Sequence, residues 1–103
     1  MGHKKMDCTN CLNIPNGRIS SPDTLERFRT FLKNSHQSYS FINYTGERIQ
    51  PAREKGDGIS TLIFTEYFPD MLDVVFICQK CGARWKAQGE FYHGIGGEIT
   101  SIT

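Results

Sequence analysis

Four cysteines, arranged as Cys8-x-x-Cys11 and Cys78-x-x-Cys81, constrain this chain more than any other feature. They are all the cysteines it has, so none is left over. A Cys-x-x-Cys turn aims two sulfurs into one small volume, and two such turns supply the tetrahedral sulfur set that Zn²⁺ prefers. The second pair continues as Cys78-Gln79-Lys80-Cys81-Gly82. Glycine there suits a metal knuckle, because the chain must often take positive φ to turn backbone N–H groups toward the thiolates. The first pair has no trailing glycine. The expectation is a structural Zn²⁺ site with Cys8, Cys11, Cys78 and Cys81 as ligands.

Spacing decides what that site would hold together. Residues 12–77, 66 in number, lie between the pairs, far more than the short hairpin between the knuckles of a free-standing zinc ribbon. The cysteines therefore read as a clamp closing a larger fold. With 103 residues, residues 1–103 make one domain whose modest core gains from such a staple.

Along the chain, Pro15-Asn16-Gly17 is a turn signal, and the best helix follows. Ser21 before Pro22 is a favourable N-cap with proline at the first helical position, with Asp23 an alternative cap. Leu25, Phe28 and Leu32, widened by Phe31, form one apolar stripe, with Arg27, Arg29 and Lys33 toward other sides. The helix is expected over about residues 22–34.

The rest reads as β. Residues 39–44 alternate aromatic and polar, and 46–58 form a charged loop. The β-branched and aromatic run 59–68 reads as a strand ended by Pro69-Asp70. Residues 73–77 form an inner strand leading into the second knuckle. Over 83–92, Ala83, Trp85 and Ala87 alternate with Arg84, Lys86 and Gln88. Gly94-Ile95-Gly96-Gly97 reads as a turn, and 98–103 as an edge strand. One helix and about five short-connected strands predict an α+β domain: a helix packed on an antiparallel sheet, closed by a Cys₄ clamp.

The Cys78-Gln79-Lys80-Cys81-Gly82 segment resembles the knuckle of zinc-ribbon and rubredoxin-like proteins, and Cys8-Thr9-Asn10-Cys11 resembles a less typical partner knuckle. The resemblance implies a metal, Zn or Fe, held by the four cysteines. It implies little about function, because such modules serve in transcription, translation, protein docking and plain stabilisation. A redox reading needs a strand–loop–helix setting that lowers a thiol pKa. The strand-like alternation after Cys81 and the turns after Cys11 do not supply it.

No apolar run approaches the roughly 18–20 residues of a membrane span. The basic N-terminus, Met1 to Asp7, has no apolar stretch after it as a secretion signal would. The chain reads as cytoplasmic, where paired cysteines are more often metal ligands than disulfides. Net charge is +1, which argues against a dedicated duplex-DNA binder. Neither phosphate-binding glycine pattern occurs. His3 lies near the terminus, and His36 suits a helix C-terminal dipole. His93, beside Tyr92 and Glu90, is the one candidate general base, but no catalytic constellation accompanies it. The chain reads as a non-enzyme.

Two functional readings follow. The first is a zinc-binding protein-interaction module whose contacts are Arg48, Arg53, Glu54, Lys55 and Asp57, since a mixed-charge loop can match an enzyme cleft. In size and layout alone, this plan is similar to bacterial immunity or antitoxin proteins, which implies a toxin as partner. The second is a zinc-ribbon binder of single-stranded DNA or RNA, in which Trp85 stacks on bases while Lys80, Arg84 and Lys86 hold phosphates.

Overall fold

A computed structural model describes Cys8 and residues 11–102. The Met1–Asp7 segment with His3, the first knuckle's Thr9 and Asn10, and Thr103 lie outside the described residues.

Ser21 and Pro22 start the principal helix, α1 (Pro22–Ser35), as the sequence predicts. Its capping box uses Thr24: the Ser21 hydroxyl accepts from the Thr24 N–H at 3.2 Å, and the Thr24 hydroxyl accepts from the Ser21 N–H at 3.0 Å. Leu25, Phe28 and Leu32 are buried along one stripe. Ahead of the helix stands β1 (Gly17–Arg18). A 3₁₀ turn at His36–Ser38 follows α1 and leads into β2 (Tyr39–Asn43), then β3 (Arg48–Ile49). The chain continues through α2 (Gly58–Phe64), β4 (Met71–Cys78), β5 (Arg84–Glu90) and β6 (Gly96–Ile102).

The six strands form one antiparallel sheet in the order β1-β6-β5-β4-β2-β3. The α+β class holds, with a six-stranded sheet and two helices where the sequence indicated about five strands and one helix. Period-2 alternation settles the faces. Leu72, Val74, Phe76 and Cys78 of β4 are buried, as are Trp85 and Ala87 of β5. The α1 stripe covers this face: the Phe28 ring lies 5.9 Å from Phe76, and Phe31 lies 5.7 Å from Tyr39.

The run from Ile59 is corrected from strand to helix. Asp57 caps α2, its carboxylate accepting from the Ser60 N–H at 2.8 Å. Ile59, Leu62 and Ile63 are buried at helical spacing. Gly58 lets this turn sit against β4, since a Cβ there would stand 2.3 Å from the Met71 carbonyl oxygen. The β-branched composition favours a strand, but cap and packing outweigh so weak a propensity. Gly96 and Gly97, expected in a turn, open β6 instead.

Arg29 is also placed differently from expectation. It is only 4% exposed, at the junction of α1, α2 and the segment before β4. Its Nε donates to the Leu62 carbonyl at 2.8 Å, one terminal nitrogen pairs with Glu26 at 2.7 Å, and the other donates to the Tyr67 carbonyl. The guanidinium also lies over the Phe68 ring, 4.6 Å from its centroid. Burying a guanidinium is tolerable only with its donors satisfied in this way.

Among the described residues, the other sheet face carries no helix. Its rows follow from the register: Ile42, Val75, Lys86 and Thr100 in one, Ser40, Ile77, Arg84 and Ile102 in the next. Among the described residues, the strands present no aromatic side chain on this face.

Candidate metal centre

The second knuckle is the hairpin turn between β4 and β5. Cys78 ends β4, its N–H donating to the Ala83 carbonyl at 2.9 Å, and the Gly82 N–H returns to the Cys78 carbonyl at 2.8 Å. Gly82 has φ +79°, the left-handed conformation for which its lack of a Cβ suits it. In the first knuckle the N–H groups of Cys11 and Leu12 both donate to the Cys8 carbonyl at 3.0 Å. The Leu12 bond spans the same interval as the Gly82 bond, and among the described residues no non-glycine has positive φ. The first knuckle thus closes without a trailing glycine.

The structure brings the two knuckles together. All four sulfurs lie within 4.8 Å of one another. Cys8 faces Cys78 at 3.7 Å and Cys11 faces Cys81 at 3.6 Å. A tetrahedral ion with metal–sulfur bonds of about 2.3 Å spaces its sulfurs about 3.8 Å apart. Disulfide bonding requires about 2.05 Å, and all four cysteines are free. Cys8, Cys11 and Cys78 are buried and Cys81 half-buried. The set is close enough, and of the right chemistry, to hold one metal ion.

Burial, first of all, pushes the Cys11 and Cys81 thiols above the ordinary thiol range. Thiol hydrogen bonding with Cys81 and Cys78 raises Cys11 further. The protein alone therefore keeps these thiols protonated, and a cation is what would ionise them. This is opposite to the activated thiol of a redox pair. Neither pair opens a helix: turns follow Cys11, and β5 begins two residues after Gly82.

Tyr39, not singled out in the sequence, adjoins the cluster. It stands opposite Cys78 in the β2–β4 register, close enough to Cys11 and Cys78 for their sulfurs to act on its phenol. Burial, then the neighbouring Cys11 and Cys78 sulfurs, push its phenol up. Such second contacts orient metal ligands. Only its place opposite the second knuckle could have marked it, and pairing is invisible before the sheet is known.

The other candidate residues lie apart from the cluster. Arg48, Arg53, Glu54 and Lys55 are exposed, while Asp57 is occupied in capping α2. Arg53 rests over the Phe64 ring at 5.9 Å. Lys80 and Arg84 are exposed, and Lys86 lies 4.0 Å from Asp73. Trp85 is only 5% exposed and lies on the helix-covered face opposite Phe76. It cannot stack on a base without leaving the core. His93 is exposed and accompanied by Glu90, its Nδ1 2.6 Å from the carboxylate.

Fold and site together define an α+β domain with a four-cysteine cluster able to hold a metal ion. Compared with models of protein families, with curated proteins and with solved structures, the chain matches none. No described helix is long and apolar enough to cross a membrane.

Proposed function

We propose that this chain is a non-enzymatic, zinc-stabilised domain that works by binding another protein, in the manner of an inhibitor that occludes its target. The convergence of four sulfurs from two distant knuckles carries the metal part of the reading. Four thiolates complete a tetrahedral zinc, leaving no position for water or substrate, so the ion would stabilise without catalysing. Function then falls to the surface that the clamp holds in place. A toxin as the partner is the most specific form of this reading.

Nucleic-acid binding is less well supported. Single-strand binders combine cations with aromatic stacking platforms. Here the uncovered face has Arg84 and Lys86, but its rows hold no ring, and Trp85 is inside.

Affinity capture from the native cell with the tagged full chain tests the reading. A single protein recovered in stoichiometric amount, resistant to nuclease and retained by purified components, is the expected result. Recovery that disappears on nuclease treatment, with direct single-strand binding that falls steeply with salt, would establish the nucleic-acid reading instead.

A further inference from the structure

Seven large apolar side chains are exposed among the described residues. All but Leu12 belong to one end of the sheet: Tyr44, Tyr67, Phe68, Met71, Tyr92 and Ile95. The topology explains the gathering. β2 ends at Asn43 opposite Val74, and β4 begins at Met71 opposite Glu90, where β5 ends and β6 is about to start. The turns 44–47, 65–70 and 91–95 therefore share the end opposite the cysteine knuckles.

These turns are neighbours at that end of the sheet. The N–H groups of Phe91 and Tyr92 donate to the Asp70 carbonyl at 2.7 and 3.3 Å, joining two of them. Met71 lies between two grooves, one of about 420 Å³ shared with Tyr44 and one of about 440 Å³ shared with Ile95. Isolated exposed apolar residues are ordinary, but six gathered at one end of a sheet point to an interaction site. Arg29 holds the 65–70 turn from beneath, through the Tyr67 carbonyl and the Phe68 ring. A surface fixed in this way loses little entropy on binding.

Charge identifies the occupant. The three turns contain Glu47, Glu66 and Asp70 but no lysine or arginine, in a chain of net charge +1. Asp73, Glu90 and Glu98 extend the acidic character into the adjoining strand ends, partly offset by Lys86 and by Arg18, which lines the groove beside Ile95. Arg48 borders the 44–47 turn on the uncovered face. The sheet edges offer little alternative, since β1 and β3 have two residues each, too few for a partner strand to extend.

We propose that this acidic, aromatic end docks a cationic, apolar segment of another protein. The proposal rests on the protein-binding reading and assigns the contact to the turn end in place of the 46–58 loop. Tyrosines give large, rigid contact area, and the carboxylates steer and orient Lys or Arg. A second copy of this chain is the wrong occupant, because two such ends repel.

Selection of displayed random peptides on the full chain tests this, followed by affinity measurement on three variants. One removes the rings (Tyr44→Ala, Tyr67→Ala, Tyr92→Ala), one the charge (Glu47→Gln, Glu66→Gln), and one alters the loop (Arg53→Ala, Lys55→Ala). The charge variant keeps the test decisive if the ring variant fails to fold. Enriched peptides should pair Lys or Arg with aromatic or aliphatic residues. They should bind the ring variant on the order of tenfold more weakly, lose affinity with salt and on the charge variant, and be unchanged on the loop variant. Peptides affected only by the loop variant would overturn the proposal while leaving the protein-binding reading intact. Acidic peptides, or basic ones indifferent to ring and charge variants, would also overturn it. Selection of none would count against both. Sedimentation should show a monomer, and a dimer dissolved by the ring variant would overturn the proposal in favour of self-association.

Discussion

Cys78→Ser removes one of four thiolates and should release the metal, so its effect measures the clamp. The ion would tie Cys8 and Cys11 to Cys78 and Cys81, closing the 66 intervening residues. A cross-link over a loop of that length restricts the unfolded chain by roughly 4 kcal/mol in the chain-entropy treatment. Domains of this size are stable by about 5–15 kcal/mol, so the loss is a large fraction of the total. It corresponds to a fall in Tm of about 15–30 °C. The structure also says where the loss begins. Beyond the clamp, the segment ahead of α1 is held by two-residue β1 and by buried Ile14 and Ile19. Amide exchange should therefore accelerate first in residues 11–16, before the β4–β5 hairpin. Calorimetry with metal analysis is the assay: wild type should carry about one zinc per chain, and the variant none. A metal-free variant with an unchanged Tm, or a wild type that lacks metal and is equally stable, would refute the clamp.

Chelated protein should lose stability as pH rises beyond the ordinary thiol value of 9.0, because Cys11 is held above it in the fold. There the unfolded chain gives up a proton that the folded chain keeps, so unfolding is favoured; below that value both states keep the proton and stability does not change on this account. Denaturant titrations of the chelated protein over that range check the sign. Arg29→Met should destabilise by roughly 2–4 kcal/mol, since it leaves the Leu62 and Tyr67 carbonyls without their donor. Arg29→Lys should recover only part of this, because an ammonium cannot span both directions; chemical denaturation measures both. Gly97→Ala should cost at least about 1–3 kcal/mol as an overpacking change, since its Cβ would meet the Gln88 carbonyl oxygen at 2.0 Å and Gly89 Cα at 2.5 Å. A Gly97→Ala protein with native Tm would mean that β5 and β6 separate more easily than this register allows.

Much of the fold was legible where local chemistry and pattern agree. The α1 start follows from Ser21-Pro22, and the alternation over 83–92 placed Trp85 and Ala87 on one face and Arg84 and Lys86 on the other. The 59–68 run misled because its composition speaks for a strand while its Asp57 cap and Ile59–Leu62–Ile63 spacing speak for a helix. Arg29 was read as surface because an arginine in an amphipathic helix is usually solvated; its partners come from α2 and the following segment. Two-residue strands such as β1 and β3 have no period of their own and exist only through their neighbours.

The paired Cys-x-x-Cys motifs by themselves marked the candidate ligand set, because sulfur chemistry and spacing are local properties of the chain. They also indicated a clamp, since 66 residues separate the knuckles. Tertiary structure alone decided that the sulfurs meet, with Cys8 on Cys78 and Cys11 on Cys81 and Tyr39 beside them. It alone buried Trp85, whose side of the sheet depends on where α1 packs. It also gathered Tyr44, Met71, Tyr92 and Ile95 at the far end. Those contacts join residues dozens of positions apart, and only strand register brings such residues together.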